Sequence, residues 1–191
     1  MAAAASPRRR LANLEQMRVV AGQLGGRKLI APEGDTTRPT TDKVRQAVFN
    51  SLGSMGLIDD ALVVDLFAGS GAMGIEALSR GAARCIFVER DRAAVTALRA
   101  NIAALGLGER ATVVAGDATT WVRSMASVDL ALVDPPYRFE GWADLLAAVD
   151  AEHVLCESNE EVPAPEGWAS LRVRGYGRTT VTLLQRPGHP G

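Results

Sequence analysis

The tetrapeptide Asp134-Pro135-Pro136-Tyr137 places a carboxylate, two prolines and an aromatic ring directly after the apolar run Val128–Val133. Consecutive prolines fix the backbone and remove two N–H donors, which leaves the segment rich in acceptors. An exocyclic amine on a nucleobase needs that arrangement. Its N–H groups donate to the Asp134 carboxylate and the Pro135 carbonyl, and its nitrogen lone pair is left turned toward an electrophile. Tyr137 adds a face on which a flipped base stacks, worth about 1–3 kcal/mol. The plainer alternative is a turn with no chemical task.

A second set of residues stands earlier in the chain. Gly69, Gly71 and Gly74 spell G-x-G-x-x-G after the apolar run Ala61–Phe67, and Glu89 closes the next apolar run. Such glycines let the backbone approach a ligand while a helix N-terminus offers unpaired N–H groups, and the acid accepts from ribose hydroxyls. The pattern calls for a nucleoside-containing cofactor without fixing which one. Asp65, just before the glycines, favours S-adenosylmethionine over a dinucleotide: its carboxylate would attract an ammonium and repel a pyrophosphate. Gly116-Asp117-Ala118 follows a third apolar run. Asp117 reads two ways there, as an acceptor for an adenine amino group and as the cap of the next helix.

These groups are useful only if they meet at one end of a sheet. Apolar runs at 61–67, 84–89, 111–115 and 128–133 alternate with helix-like segments at 72–80, after Asp91 (Val95, Leu98, Ile102 and Leu105 forming one face), at 119–125 and at 142–149. Strand–helix alternation implies parallel strands, right-handed crossovers and helices on both faces. Ligands of such sheets bind at the carboxyl ends of the strands, where Asp65, Glu89, Asp117 and Asp134 fall. A further strand at 154–157 and an antiparallel pair at 171–174 and 179–185 complete a seven-stranded set. The fold class is therefore α/β, a doubly wound, mostly parallel Rossmann-like sheet with an antiparallel terminal strand. Before it, 18–22 and 27–30 suggest a hairpin. A helix capped by Thr40 or Thr41 follows, with Val44, Val48 and Leu52 on one side and Gly53 and Gly56 at its end. The expected division is a flexible extension at 1–17, a basic hairpin and helix at 18–56, and the main domain at 57–187.

Composition narrows the function. Two cysteines, Cys85 and Cys156, and two histidines argue against a zinc site, a disulfide scaffold and a Cys-His nucleophile. No metal is expected. No apolar run reaches the roughly 20 residues of a membrane span, and small residues precede the charges at the N-terminus, the reverse of a secretory signal. A cytoplasmic monomer with no membrane partner is expected. The net charge of −1 hides an asymmetry: residues 1–50 hold nine bases against four acids, so the rest is acidic. A basic arm suits a polyanion, because neutralised phosphates release counterions; a merely solvated basic segment is the alternative.

Together, D-x-F-x-G-x-G, the acid after strand two, G-D-A and D-P-P-Y resemble class I methyltransferases acting on exocyclic amines of nucleobases. The blocks RVVAGQLGGRKL at 18–29, RPTTDKVRQAVFN at 38–50 and DLFAGSGAMGIEALSRGA at 65–82 resemble the bacterial 16S ribosomal RNA guanine(966)-N2 methyltransferase family. Met73 and Tyr137 are mild variations on that family's pattern. The resemblance implies S-adenosylmethionine held by Asp65, Phe67, Ala68, Gly69, Ser70 and Gly71. It places Glu89 with neighbouring Arg90 at the ribose, and Asp117 and Ala118 near the adenine; S-adenosylhomocysteine is the product. It implies Asp134, Pro135, Pro136 and Tyr137 as the catalytic set on the target guanine. Arg38, Thr40 and Thr41 would lie near the site's mouth, with Arg27 and Lys28 on phosphates. The partner would be 16S rRNA within a small-subunit particle containing ribosomal proteins. Rival readings are a DNA adenine-N6 methyltransferase, a binding module with a vestigial cofactor site, and a nicotinamide-dependent dehydrogenase.

Overall fold

Val63 and Val64 are both fully buried, and neighbours on a strand point to opposite faces. The strand that carries them, β1 (Leu62–Leu66), must therefore be covered on both sides. The computed structural model, which describes residues 17–32, 41–136 and 138–188, shows how. The expected extension before Met17 lies outside these residues. On one face, Val63, Leu130 and Leu132 pack against α1 (Asp42–Ser54), α2 (Ala72–Ser79) and α3 (Arg92–Ala104) through Val48, Phe49, Ile75, Leu78 and Leu98. On the other, Val64, Leu66, Ala131 and Val133 pack against α4 (Ala118–Trp121), a 3-10 turn (Val122–Ser124) and α5 (Trp142–Ala148).

The remaining strands are β2 (Arg84–Glu89), β3 (Ala111–Ala115), β4 (Val128–Val133), β5 (Ala151–Ser158), β6 (Ala169–Tyr176) and β7 (Thr179–Gln185). The sheet order is β3-β2-β1-β4-β5-β7-β6. β1 to β5 are mutually parallel, and β7 runs antiparallel between β5 and β6. The chain leaves β1 for β2 and β3 on one side and returns to β4 on the other. That reversal is the switch point at which sheets of this order bind their ligands, outside the carboxyl ends of β1 and β4.

Three local expectations shift. The hairpin at 18–30 forms around the antiparallel bridge Arg18 to Lys28, with Val19 N–H on the Arg27 carbonyl (2.9 Å) and Leu29 N–H on the Met17 carbonyl (2.8 Å), but stays short because the Val20, Ala21 and Leu24 N–H groups turn to α2. α1 continues through Gly53; the residue that stops it is Gly56, at φ +73°. There the Leu57 and Gly56 N–H groups donate back to Leu52 and Gly53 (3.1 Å each), a left-handed helix stop. β5 begins earlier than its apolar centre because Ala151 pairs with Val128, which carries Glu152 and His153 into the strand.

Candidate active site

The β1–α2 turn is set by three glycines with separate tasks. A Cβ on Gly71 (φ +86°) would stand 2.4 Å from Leu98 of α3, and one on Gly74 2.4 Å from the Phe87 ring of β2, so both positions exist for close packing. A Cβ on Gly69 would meet nothing within 4 Å, so this glycine faces open space. The turn is held by Ala68 N–H on the Val88 carbonyl (3.0 Å) and Gly71 N–H on the Ala68 carbonyl (2.8 Å). Phe67 takes a left-handed φ of +63°, which costs a side-chain-bearing residue about 1–2 kcal/mol. Its ring meets Phe139 edge-on at 5.4 Å, and Phe139 meets Trp142 the same way at 5.4 Å. These contacts tie the glycine turn to the segment after Asp134-Pro135-Pro136.

Four carboxylates mark the strand ends. Asp65, 2% exposed, accepts one bond, from the Gly74 N–H at 2.8 Å. Burial pushes its carboxyl well above the ordinary range, and the nearby Asp134 and Glu89 push it further. Glu89 accepts the Gly69 N–H on one oxygen (2.8 Å) and the Arg90 and Asp91 N–H groups on the other (2.8 Å each). A carboxylate oxygen has room for two donors, so the one serving Gly69 can take another. Asp117 caps α4 through the Thr120 N–H (3.1 Å), accepts the Thr119 hydroxyl, and pairs with Arg90 at 3.2 Å. Those bonds, the Thr119 hydroxyl foremost, hold it below the usual carboxylate range. Asp134 and Pro135 are half-buried and Pro136 is exposed; Tyr137 lies outside the described residues. Ala68, Ser70 and Ala118 are buried.

The basic segment is bound to this turn by polar groups that sequence reasoning passed over. Glu76 of α2, fully buried, accepts the Val20 N–H (2.7 Å), the Ala21 N–H (3.0 Å) and Arg80 Nε (2.6 Å). Arg45 of α1, 1% exposed, donates to the Arg18 carbonyl (2.6 Å) and to Asp42 (2.8 Å), with its Nε 3.8 Å from Glu76. Ser79 receives the Leu24 N–H at 3.0 Å, and a Cβ on Gly22 would stand 2.0 Å from the Ser79 carbonyl. Asn101 of α3 holds Ile30 by both backbone groups (2.7 and 3.0 Å) and also donates to the Ser70 carbonyl (3.0 Å). Thr41 caps α1 by accepting the Val44 N–H at 3.4 Å. Arg27 donates to the Ala104 carbonyl at the end of α3, and Lys28 is exposed. Arg38 and Thr40 lie outside the described residues. Arg45 and Glu76 fall inside the blocks that carry the family resemblance, which is the signal that could have found them.

The strand order, the glycine turn after β1 and the acids at successive strand ends define a class I, S-adenosylmethionine-dependent type of methyltransferase fold. The chain belongs to the family described as conserved hypothetical protein 95, which matches residues 17–185, and is an enzyme of the small-subunit rRNA methyltransferase kind. It is 38% identical to the ribosomal RNA small subunit methyltransferase D of Escherichia coli strain K12, over 90% of either chain. It is also 38% identical to the putative rRNA methyltransferase YlbH of Bacillus subtilis, over 90% of this chain and all of that one. Among solved structures, the putative methyltransferase yhhF from Escherichia coli superposes with a TM-score of 0.79 at 37% identity, covering 90% of this chain and 98% of the other. Among the described residues no helix is long and apolar enough to cross a membrane.

Proposed function

We propose that the protein transfers a methyl group from S-adenosylmethionine to the exocyclic N2 amine of a guanine in 16S rRNA, acting in the cytoplasm as a monomer on a small-subunit particle. The observation that carries this reading is the convergence, at one end of the sheet, of the open Gly69 turn with Asp65, Glu89 and Asp134. A buried carboxylate, Asp65, whose proton affinity is raised by burial and then by Asp134 and Glu89, suits a cationic ligand. The residues therefore fit the cofactor, which when bound supplies a methyl carbon on a positively charged sulfur. Asp65 faces its ammonium, Glu89 with Arg90 its ribose, and Asp117 and Ala118 its adenine, while Phe67, Ala68, Ser70 and Gly71 shape the turn.

Asp134 and the Pro135 carbonyl accept the two N–H groups of the guanine amine, and Tyr137 stacks on the base. Their contribution is orientation, since it aims the lone pair along the transfer path. Asp134 need not be a strong base, because the amine proton becomes acidic only as the new bond forms. Pro136 stiffens the segment. Arg27, Lys28, Arg38, Thr40 and Thr41 hold the RNA at the mouth.

Asp134→Ala should abolish transfer of labelled methyl to small-subunit particles that lack the modification, with cofactor affinity changed less than about threefold. Full activity in that variant would overturn the assignment. Wild-type label on duplex DNA adenine instead of RNA guanine would move the substrate to the rival reading.

A further inference from the structure

The β6–β7 hairpin carries cations that the catalytic end does not use. From Gly167 to Arg186 the sequence holds four arginines and no acid. Arg186 is architectural: it donates to the Val149 carbonyl at 2.7 Å and stacks over Trp168 at 4.6 Å. Arg172, Arg174 and Arg178 are exposed. Arg172 bonds a neutral group, the Ser51 hydroxyl, at 2.6 Å. Arg174 and Arg178 form no salt bridge among the described residues.

Geometry arranges these cations as a track. Arg172, Arg174 and Tyr176 alternate along β6 and line one small cavity with Val48, Ser51 and Leu52 of α1, so they share a face. Side chains two residues apart on a strand are separated by about 6.6 Å, comparable to successive phosphates of a single strand. Tyr176 adds an aromatic surface, the usual companion of cations where single-stranded nucleic acid lies. β6 is the last strand of the sheet and is bonded only to β7. Protecting such an edge needs charge of either sign, whereas this hairpin has only one.

Register then fixes where the track leads. Val133 pairs with Cys156, Ser158 with Thr180, and Tyr176 with Thr179. The turn at Gly177-Arg178 therefore stands at the same end of the sheet as Asp134, about 14 Å to its side across three strand spacings and a few residues further out. The basic N-terminal loop is tied to α2 and α3, on the far side of the switch point. Basic regions flank the site on both sides.

We infer that the β6–β7 hairpin is a second phosphate-binding surface, along which the single-stranded RNA flanking the target base runs. Arg174 and Arg178 neutralise phosphates and Tyr176 carries a base or ribose. This rests on the proposed RNA substrate and extends it. The test is the full chain with Arg174→Gln and Arg178→Gln together, and Arg123→Gln on the opposite face as control. Two readouts are needed: binding of a fluorescein-labelled single-stranded RNA between 50 and 200 mM salt, roughly the span over which such contacts are resolved, and methyl transfer to particles lacking the modification. The double variant should lower the slope of log affinity against log salt by about 1.4, two phosphates at about 0.7 each. Its KM for particles should rise about tenfold, with kcat and cofactor affinity held. An unchanged slope and KM would overturn the inference. So would a raised KM on particles with unchanged binding of the free RNA, which would make the hairpin a contact for ribosomal protein. If the wild type methylates no RNA yet binds it with the same arginine dependence, the proposed reaction fails and the surface stands.

Discussion

Glu76 and Asp65 are both buried carboxylates on neighbouring elements, and their surroundings serve them differently. Glu76 receives two backbone N–H groups and Arg80, and faces the guanidinium of Arg45. Asp65 receives one N–H and faces two further acids, Asp134 and Glu89. A buried charge is tolerable when donors and counter-charges surround it and costly when they do not. Glu76 is thus complete within the fold and holds it together. Asp65 is left short of positive charge at the switch point of the sheet, which is where a cationic ligand would supply it.

The largest expected effect comes from breaking the complete site. Glu76→Ala strips Val20 and Ala21 of an acceptor, takes the counter-ion from Arg80 and leaves buried Arg45 with Asp42 alone. A loss of about 3–5 kcal/mol of stability is expected in urea unfolding. Arg45 sharpens the point: its Nε and the Arg80 Nη2 have no hydrogen-bond partner among the described residues, and burial pulls the Arg45 pKa down despite Asp42 and Glu76. A loss under about 1 kcal/mol would mean Glu76 is not what fastens the N-terminal loop.

The incomplete site should respond in ligand binding and not in folding. Asp65→Asn keeps an oxygen for the Gly74 N–H and removes a charge the apo protein holds at a cost, so stability should stay within about 1 kcal/mol of wild type. Affinity for S-adenosylmethionine, read by isothermal titration, should fall about 10- to 100-fold, the worth of a hydrogen bond between charged partners. Unchanged affinity would detach Asp65 from the cofactor.

Both sites were in the sequence, but only one was legible there. Asp65, the glycines, Glu89, Asp117 and Asp134 could be placed because strand–helix alternation alone brings successive strand ends together, and a local motif accompanies each. The Asp117 cap formed as its position suggested. Arg45 and Glu76 meet across 31 positions, and on a helix each reads as one more solvated charge until α1 is known to lie beside α2. The same holds for Asn101, whose partner Ile30 is 71 positions away, and for the edge-on rings of Phe67, Phe139 and Trp142. The glycines and apolar pairs at 18–30 suggest a short hairpin. That hairpin forms, but the Val20, Ala21 and Leu24 donors at its turn go to Glu76 and Ser79, which no local pattern records. Charge at the C-terminal hairpin escaped notice because the body as a whole is acidic.

The smallest effect is the most specific to Asp65, and it is one of protons. Its folded-state pKa lies well above the ordinary 3.8, through burial first and then Asp134 and Glu89. The folded protein therefore binds this proton more tightly than the unfolded chain, and the associated stability is full below about pH 3.8 and is lost as pH rises through the folded value. Asp117 has the opposite sign: held low by Thr119, Thr120 and Arg90, it supports the fold above that pH and stops doing so in acid, weakly because it is partly exposed. Asp65→Asn cannot ionise, so its stability relative to wild type should improve as pH rises from about 4 and level off beyond the folded value. A cation placed beside Asp65 favours the ionised form, so cofactor binding should expel up to about one proton in that same window. Titration in two buffers of different ionisation enthalpy measures the release directly. Wild type should release protons and Asp65→Asn should release fewer; equal release would detach the proton from Asp65 and leave it a helix anchor through Gly74 alone.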